Sequence, residues 1–222
     1  MNVLGFDTST AATAVCVLRS DGEAFEHEPP VQRLFEPPGH ARELMPAVDR
    51  LMRQAGLGFG DLDALAVGIG PGGFTGLRIG LATAHGIAHG SAIALHPVSS
   101  LAALAAGMET DTDRAARLPL IDARRGEVYG AVDGGSPFVA SPEDAAARAH
   151  AGALAAGDGS IRFRETLEAA GIRVAPGDSR MHVVRGLYIC RLAEAVQPAP
   201  PEAVVPCYLR APDAKPPSRS GG

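Results

Sequence analysis

Two stretches far apart in the chain, NVLGFDTSTAATAV at residues 2–15 and LPLIDARRGEVYGAV at residues 118–132, carry one pattern. In each, an apolar run ends in an aspartate, Asp7 or Asp122. A polar turn follows, with a small residue (Ala11 or Gly126) four positions after the aspartate, and a second apolar run returns. Apolar alternation broken by turn formers predicts a β-hairpin in both places. Outward from the first hairpin, the Asp21-Gly22 turn and a strand from Glu23 make a meander. The Pro-rich EPPVQRLFEPPG (28–39) then leads into ARELMPAVDRLMRQAG (41–56), where Leu44, Val48, Leu51, Met52 and Ala55 recur at helical spacing before Gly56. Pro46 removes an amide donor inside that pattern, so the helix is expected to kink there or to begin just before it. Strand DALAVGI, a helix over 74–89, strand AIALHPV and a helix capped by Ser99 or Ser100 complete the half. The second hairpin continues into PFVA, a helix capped by Ser141, strand GALAAG, a turn at DGS, helix IRFRETLEAAG, the short IRVAP and helix VRGLYICRLAEAV. Both halves read βββ-α-β-α-β-α.

A meander that feeds right-handed βαβ crossovers has helices on both faces of a mixed sheet, and two copies leave a cleft between them. The expected fold is α/β: duplicated actin-like (ribonuclease H-like) lobes, the second reduced, over residues 1–99 and 100–206. A tail over 207–222 follows, and its KPPSRSGG predicts partial disorder. In that architecture the aspartate hairpins point at nucleotide phosphates, which makes Asp7, Thr8, Ser9 and Thr10 candidate phosphate contacts. A turn held by local side-chain bonds is the alternative. Around Asp122, arginines stand where a Gly and Thr run would serve phosphates.

With 222 residues and 46% apolar composition, the chain can bury one generous core or two small ones. No run is long and apolar enough to predict a membrane helix, and no signal-peptide pattern opens the sequence, so a cytoplasmic protein without membrane contact is expected. Cys16, Cys190 and Cys207 lie far apart, which disfavours a disulfide framework and a zinc knuckle. A net charge of −5 offers no basic stripe for nucleic acid, so any contact with RNA is expected through a partner.

The glycine-rich GIGPGGFTGLRIGLATAHGIAHG (68–90) fits G-x-G-x-x-G at its start, but the next acid after Gly70 is Glu109, far too late for a ribose contact. It is not a Walker A loop either, because Gly76 is followed by Leu77 and Arg78. His85 and His89 lie one turn apart, but Gly86 stands where a zinc peptidase carries its glutamate and no third ligand is near, so no metal site is expected. Gly76, Gly80, Ala84 and Ala88 form a ridge of small residues that would let another backbone approach closely. Beside Leu44, Val48, Leu51, Leu81 and His85, that ridge is a candidate partner interface. Packing on its own sheet is the other reading.

These residues resemble the TsaB family. The likeness is carried by GIGPGGFTGLRIGLATAHGIA, VLGFDTSTAATAV, HARELMPAVDRLM, LPLIDARRGEVYGA, AAGDGS and PCYLRAPDA, and it covers most of the chain; Gly73 replaces a serine usual in the central motif. The resemblance implies an actin-like protein without catalytic residues of its own, serving the catalytic subunit TsaD in forming threonylcarbamoyladenosine on tRNA; the alternative is an autonomous actin-like ATPase or kinase that would use Asp7 and Asp122 with Mg-ATP. It implies pairing with TsaD through the helices beginning near Ala41 and Phe74, a homodimer when alone, association with the ATPase TsaE, and contact with tRNA only through the complex. No cofactor is expected on this chain alone, with ATP or ADP at the complex junction. The metal-binding H-x-x-x-H of TsaD falls on HPVSSLAAL, where Ser99, Ser100 and Leu101 stand instead.

Overall fold

The computed structural model describes residues 1–109 and 116–210. The first half runs β1 (Val3–Asp7), β2 (Ala14–Leu18), β3 (Ala24–His27), α1 (His40–Ala55), β4 (Ala64–Gly68), α2 (Phe74–Ser91), β5 (Leu95–Val98) and α3 (Ser100–Ala106). The second half runs β6 (Arg117–Arg124), β7 (Glu127–Gly130), β8 (Phe138–Ala140), α4 (Pro142–Arg148), β9 (Leu154–Ala156), α5 (Asp158–Arg162), α6 (Arg164–Ala169), β10 (Arg173–Val174) and α7 (Gly186–Ala193). The sheets have orders β3-β2-β1-β4-β5 and β8-β7-β6-β9-β10, one arrangement used twice. In each the hairpin pairs are antiparallel and the crossover pairs parallel, as in the actin-like fold.

Strand alternation decides which layer each residue joins. Leu4 and Phe6 of β1, Val15 and Val17 of β2, and Leu65 and Val67 of β4 face α1 and α2. Their neighbours Val3, Cys16, Ala64 and Ala66 face the opposite way into a cluster with α3 and α7 that also takes in Ile121 of the second sheet. Gly5 belongs to that face too: a side chain there would meet Cys190 of α7 at 2.6 Å. Thus α7, the last helix of the second half, covers the first sheet, while α3 of the first half lies against β6. The layers are α1 and α2, first sheet, α3 and α7, second sheet, then α4 and α6.

Several local expectations change. Helix α1 runs through Pro46 unbroken, and Pro46 and Arg42, whose carbonyl loses its amide partner, are both exposed. The DGS segment is the start of α5 rather than a turn, and the single helix expected after it is divided into α5 and α6 at Phe163. The Pro-rich segment does more than connect. Its 3-10 turn, Val31–Phe35, buries Val31 and Leu34 against Ala12, Ile161 and Val183, and Glu28 pairs with Arg180 and Arg185 of the second half. Residues 211–222, including KPPSRSGG, lie outside the described residues, but the segment before them folds back. The Cys207 amide donates to the Ile69 carbonyl at 2.7 Å, and Arg210 reaches the Ala123 carbonyl at 3.1 Å and Glu127.

Candidate functional site

The first hairpin and the glycine-rich loop are stitched together. Asp7 is buried; its Oδ1 accepts from the Ser9 amide at 2.7 Å and hydroxyl at 2.6 Å, and its Oδ2 accepts from the Ser100 hydroxyl at 2.5 Å. The Ser100 oxygen also receives the Gly70 amide at 3.1 Å, and the Ser100 amide returns to the Gly70 carbonyl at 2.9 Å. Thr8 donates its hydroxyl to the Gly76 carbonyl at 2.8 Å, and the Gly73 amide donates to Ser9 at 2.7 Å. A side chain on Gly72 would strike Ser9, and one on Gly76 or Gly80 would strike Thr8. These glycines therefore serve close approach, which a Cβ would prevent.

Beside this joint a cavity of about 980 Å³ opens between the two lobes. The hairpin turn contributes Thr8, Ser9 and Thr10; the starts of α1 and α2 contribute Gly39–Arg42 and Gly73–Gly76; the second hairpin brings Asp122, Arg124 and Arg125. Tyr208 and Arg210 close one side. Of the four candidate phosphate contacts, Thr8, Ser9 and Thr10 line the cavity, whereas Asp7 has both oxygens committed to protein hydroxyls and an amide. Thr10 is buried. Asp122 Oδ2 lies between Arg124 at 3.2 Å and Arg162 at 3.3 Å. Asp158 accepts the amides of Asp122 and Gly159, and burial raises its pKa to about 6. His40, at the start of α1, touches Thr13 Oγ1 at 2.9 Å; Thr13 gives its one proton to Glu43, so His40 Nδ1 is the donor. Burial holds the pKa of His40 below that of a free imidazole.

The fold turns the expected partner ridge inward. Leu44, Val48, Leu51, Leu81 and Ala84 are buried among β1, β2 and β4, Gly76 and Gly80 press on Thr8, and half-buried His85 meets the Val204 carbonyl at 3.1 Å. Helical spacing marks a face as buried and is silent about what buries it; here the first sheet and hairpin do. The outward faces carry Ala41, Met45 and Asp49 on α1 and Thr75, Arg78, Ala82, Gly86 and His89 on α2. Gly86 has nothing within 4 Å of its missing Cβ. Among the described residues no three His, Cys, Asp or Glu are grouped to hold a metal. The sequence reading missed Phe74, Arg78 and Tyr208, which meet at the cavity mouth. The rings stack at 5.4 Å between centroids, the Arg78 guanidinium lies 3.9 Å from the Phe74 centroid, and Arg78 donates to the Tyr208 hydroxyl at 3.2 Å. No local signal links residues so far apart in the chain.

Against known proteins, the family model "TsaD: tRNA N6-adenosine threonylcarbamoyltransferase" matches residues 38–154, more than half of the chain. The chain belongs to the family that contains TsaB and TsaD. Within this family it is 38% identical over 131 residues to Escherichia coli "tRNA threonylcarbamoyladenosine biosynthesis protein TsaB", covering 58% of this chain and 53% of that protein. The match to TsaB of Haemophilus influenzae, 36% over 129 residues, covers 58% of this chain and 52% of that one. The chain thus spans about half the length of these curated TsaB relatives. An end-to-end match is "Uncharacterized protein Mb3455c" of Mycobacterium bovis, 36% identical over 96% of this chain and 94% of the relative. Among solved structures, "YeaZ from Pseudomonas aeruginosa" superposes with a TM-score of 0.75 at 28% identity, covering 94% of this chain and 99% of that one. A second Pseudomonas aeruginosa structure, described as having "similarity to peptidase YEAZ", gives 0.77 at 29% over the same shares. No described helix is long and apolar enough to cross a membrane.

Proposed function

We propose that this chain is a non-catalytic subunit in tRNA threonylcarbamoyladenosine biosynthesis, pairing with a TsaD-type transferase. The observation that carries this reading is the state of Asp7. A metal-nucleotide site of the actin-like kind needs that carboxylate facing the cavity, and here Ser9 and Ser100 consume it. The position that would carry TsaD histidines is occupied by Ser99, which caps α3, and by Ser100. Such a protein acts by contact, and the contact falls on the outward faces of α1 and α2, around Met45 and Ala82. The same faces join two copies when the chain is alone, TsaE and ATP or ADP gather at the junction, and tRNA is reached through the complex.

The test combines this chain with TsaD from the same organism and assays modification of tRNA with each alone and together. Only the combination is expected to form threonylcarbamoyladenosine at a substantial rate. Ala82→Arg, at an exposed position, should weaken association with TsaD tenfold or more while the melting temperature of the free chain stays within a degree or two. Product from this chain alone, ATP turnover that vanishes in Asp7→Asn, or unchanged TsaD affinity in Ala82→Arg together with Met45→Glu would overturn the reading.

A further inference from the structure

Two of the three cysteines, 174 residues apart in the chain, meet in the fold. Cys16 is the middle residue of β2 and Cys190 lies on the inner side of α7; both are free, fully buried and in one apolar cluster. Opposite Cys16 in the hairpin stands Gly5, and its missing side chain lets α7 come close. A Cβ there would lie 2.6 Å from Cys190 Sγ and 3.0 Å from the Cys190 nitrogen. Gly186, one turn earlier on α7, serves the same approach: its Cβ would lie 2.6 Å from the Cys16 nitrogen and 2.9 Å from the Cys16 Cβ. The Cys190 thiol donates to the Cys16 carbonyl at 3.4 Å and lies within hydrogen-bonding reach of the Cys16 thiol. Two glycines thus bring two thiols together at the short backbone separation that a disulfide requires. Both ends of α7 are also held by the first sheet. Glu26 of β3 accepts the Leu187 amide at 3.0 Å, and His96 of β5 reaches the Ala193 and Val196 carbonyls at 2.9 and 3.0 Å.

We propose that Cys16 and Cys190 form a reversible disulfide, made by exchange with a small-molecule disulfide, that staples the last helix of the second half to the sheet of the first. One cysteine thiolate attacks the small disulfide and releases one of its thiols; the other cysteine then attacks the mixed disulfide and releases the second. One sulfur–sulfur bond forms in the chain and one breaks in the oxidant, which takes up two electrons and the two cysteine protons. Both thiols are fully buried, and burial raises the pKa of Cys190 well above that of a free thiol, so the pair is protected while α7 lies on the sheet. Exchange occurs when α7 lifts, and the bond closes as it returns. The staple therefore fixes the two halves together under oxidising conditions and is released by thiols. The inference concerns the chain alone and does not rest on its partnership with TsaD.

The experiment incubates the full chain with oxidised glutathione under native conditions and follows intact mass, non-reducing peptide maps and melting temperature. A Cys207→Ser chain, which lacks the half-buried third thiol, is run beside it. Both chains should yield one cross-linked peptide pair carrying Cys16 and Cys190, and the Cys207→Ser chain should lose the mass of two hydrogens. The melting temperature should rise by about 5 °C or more and fall back on adding dithiothreitol. Cys16→Ala and Cys190→Ala should each abolish the cross-link, and urea below the unfolding transition should quicken it severalfold by freeing α7. Glutathione adducts without the Cys16–Cys190 bond, a bond formed only once the chain is unfolded, or a stapled chain that melts at or below the reduced one would overturn the proposal. Failure here leaves the tRNA modification assay unaffected, so the two readings stand or fall separately.

Discussion

Asp158 shows how a single buried carboxylate sets a pH dependence. Its pKa is about 6 in the folded chain, raised by burial from 3.8, so the folded state holds its proton more tightly than the unfolded one. Its contribution to stability is fully present below 3.8 and is lost as the pH rises through 6. At pH 8 the ionised group costs up to about 3 kcal/mol relative to a neutral one. Asp158→Asn keeps an oxygen for the amides of Asp122 and Gly159 and removes the charge. We expect it to stabilise the chain by about 1 to 3 kcal/mol at pH 8 and the gain to shrink toward zero near pH 4, read as melting temperature against pH. A gain of equal size at both ends, or a loss at pH 8, would show that charge burial is not the cause. His182 runs the other way. Burial lowers its pKa against the opposing pull of the carbonyls of Pro176, Gly157 and Ala175, so its share of stability holds above 6.5 and falls away below it.

At the scale of an element, α2 carries two sets of glycines with opposite roles. Gly76 and Gly80 face the hairpin, where a side chain would collide with Thr8; Gly86 faces open solvent. Gly80→Leu should therefore destabilise the folded chain by about 1 to 3 kcal/mol through overpacking. Gly86→Ala should stabilise it by about 0.5 to 1 kcal/mol, since the helix interior favours alanine and nothing is there to hit. Denaturant melts of the two variants decide the matter, and a destabilising Gly86→Ala would mean the outward face is not free. The sequence showed that α2 has small residues at helical spacing, and the pattern located the ridge correctly. It was silent on direction, because a hairpin backbone and a partner helix make the same demand for a missing Cβ. The strands were more legible: alternation in VLGFD, AVCVL and ALAVG put Leu4, Val15 and Leu65 on one face and left Gly5 and Ala66 on the other. Those small residues were a signal that a helix sits close there, though nothing in them names α7.

Taken whole, the molecule is two copies of one sheet clasped at two places. On one side, Val31 and Leu34 of the Pro-rich segment wedge against Ile161 and Val183. On the other, the returning segment runs from Ile69 past Phe74 to the β6–β7 turn through Cys207, Tyr208 and Arg210. The duplication was readable because both hairpins repeat the aspartate and turn; the clasps were not, since each joins residues distant in sequence through contacts that leave no period. A chain ending at Pro206 loses the Phe74–Tyr208 stack and both Arg210 contacts, each worth about 1 kcal/mol or less. Amide exchange over residues 123–127 should then quicken by about tenfold, with α1 unchanged; unaltered exchange there would show that the second clasp bears no strain. The exchange of end helices between the sheets also governs how the protein is born on the ribosome. The first sheet leaves the exit tunnel before α7 is translated, so the face formed by Gly5, Cys16, Ala64 and Ala66 must wait uncovered, and the nascent first half stays unfinished until α7 arrives from the second half.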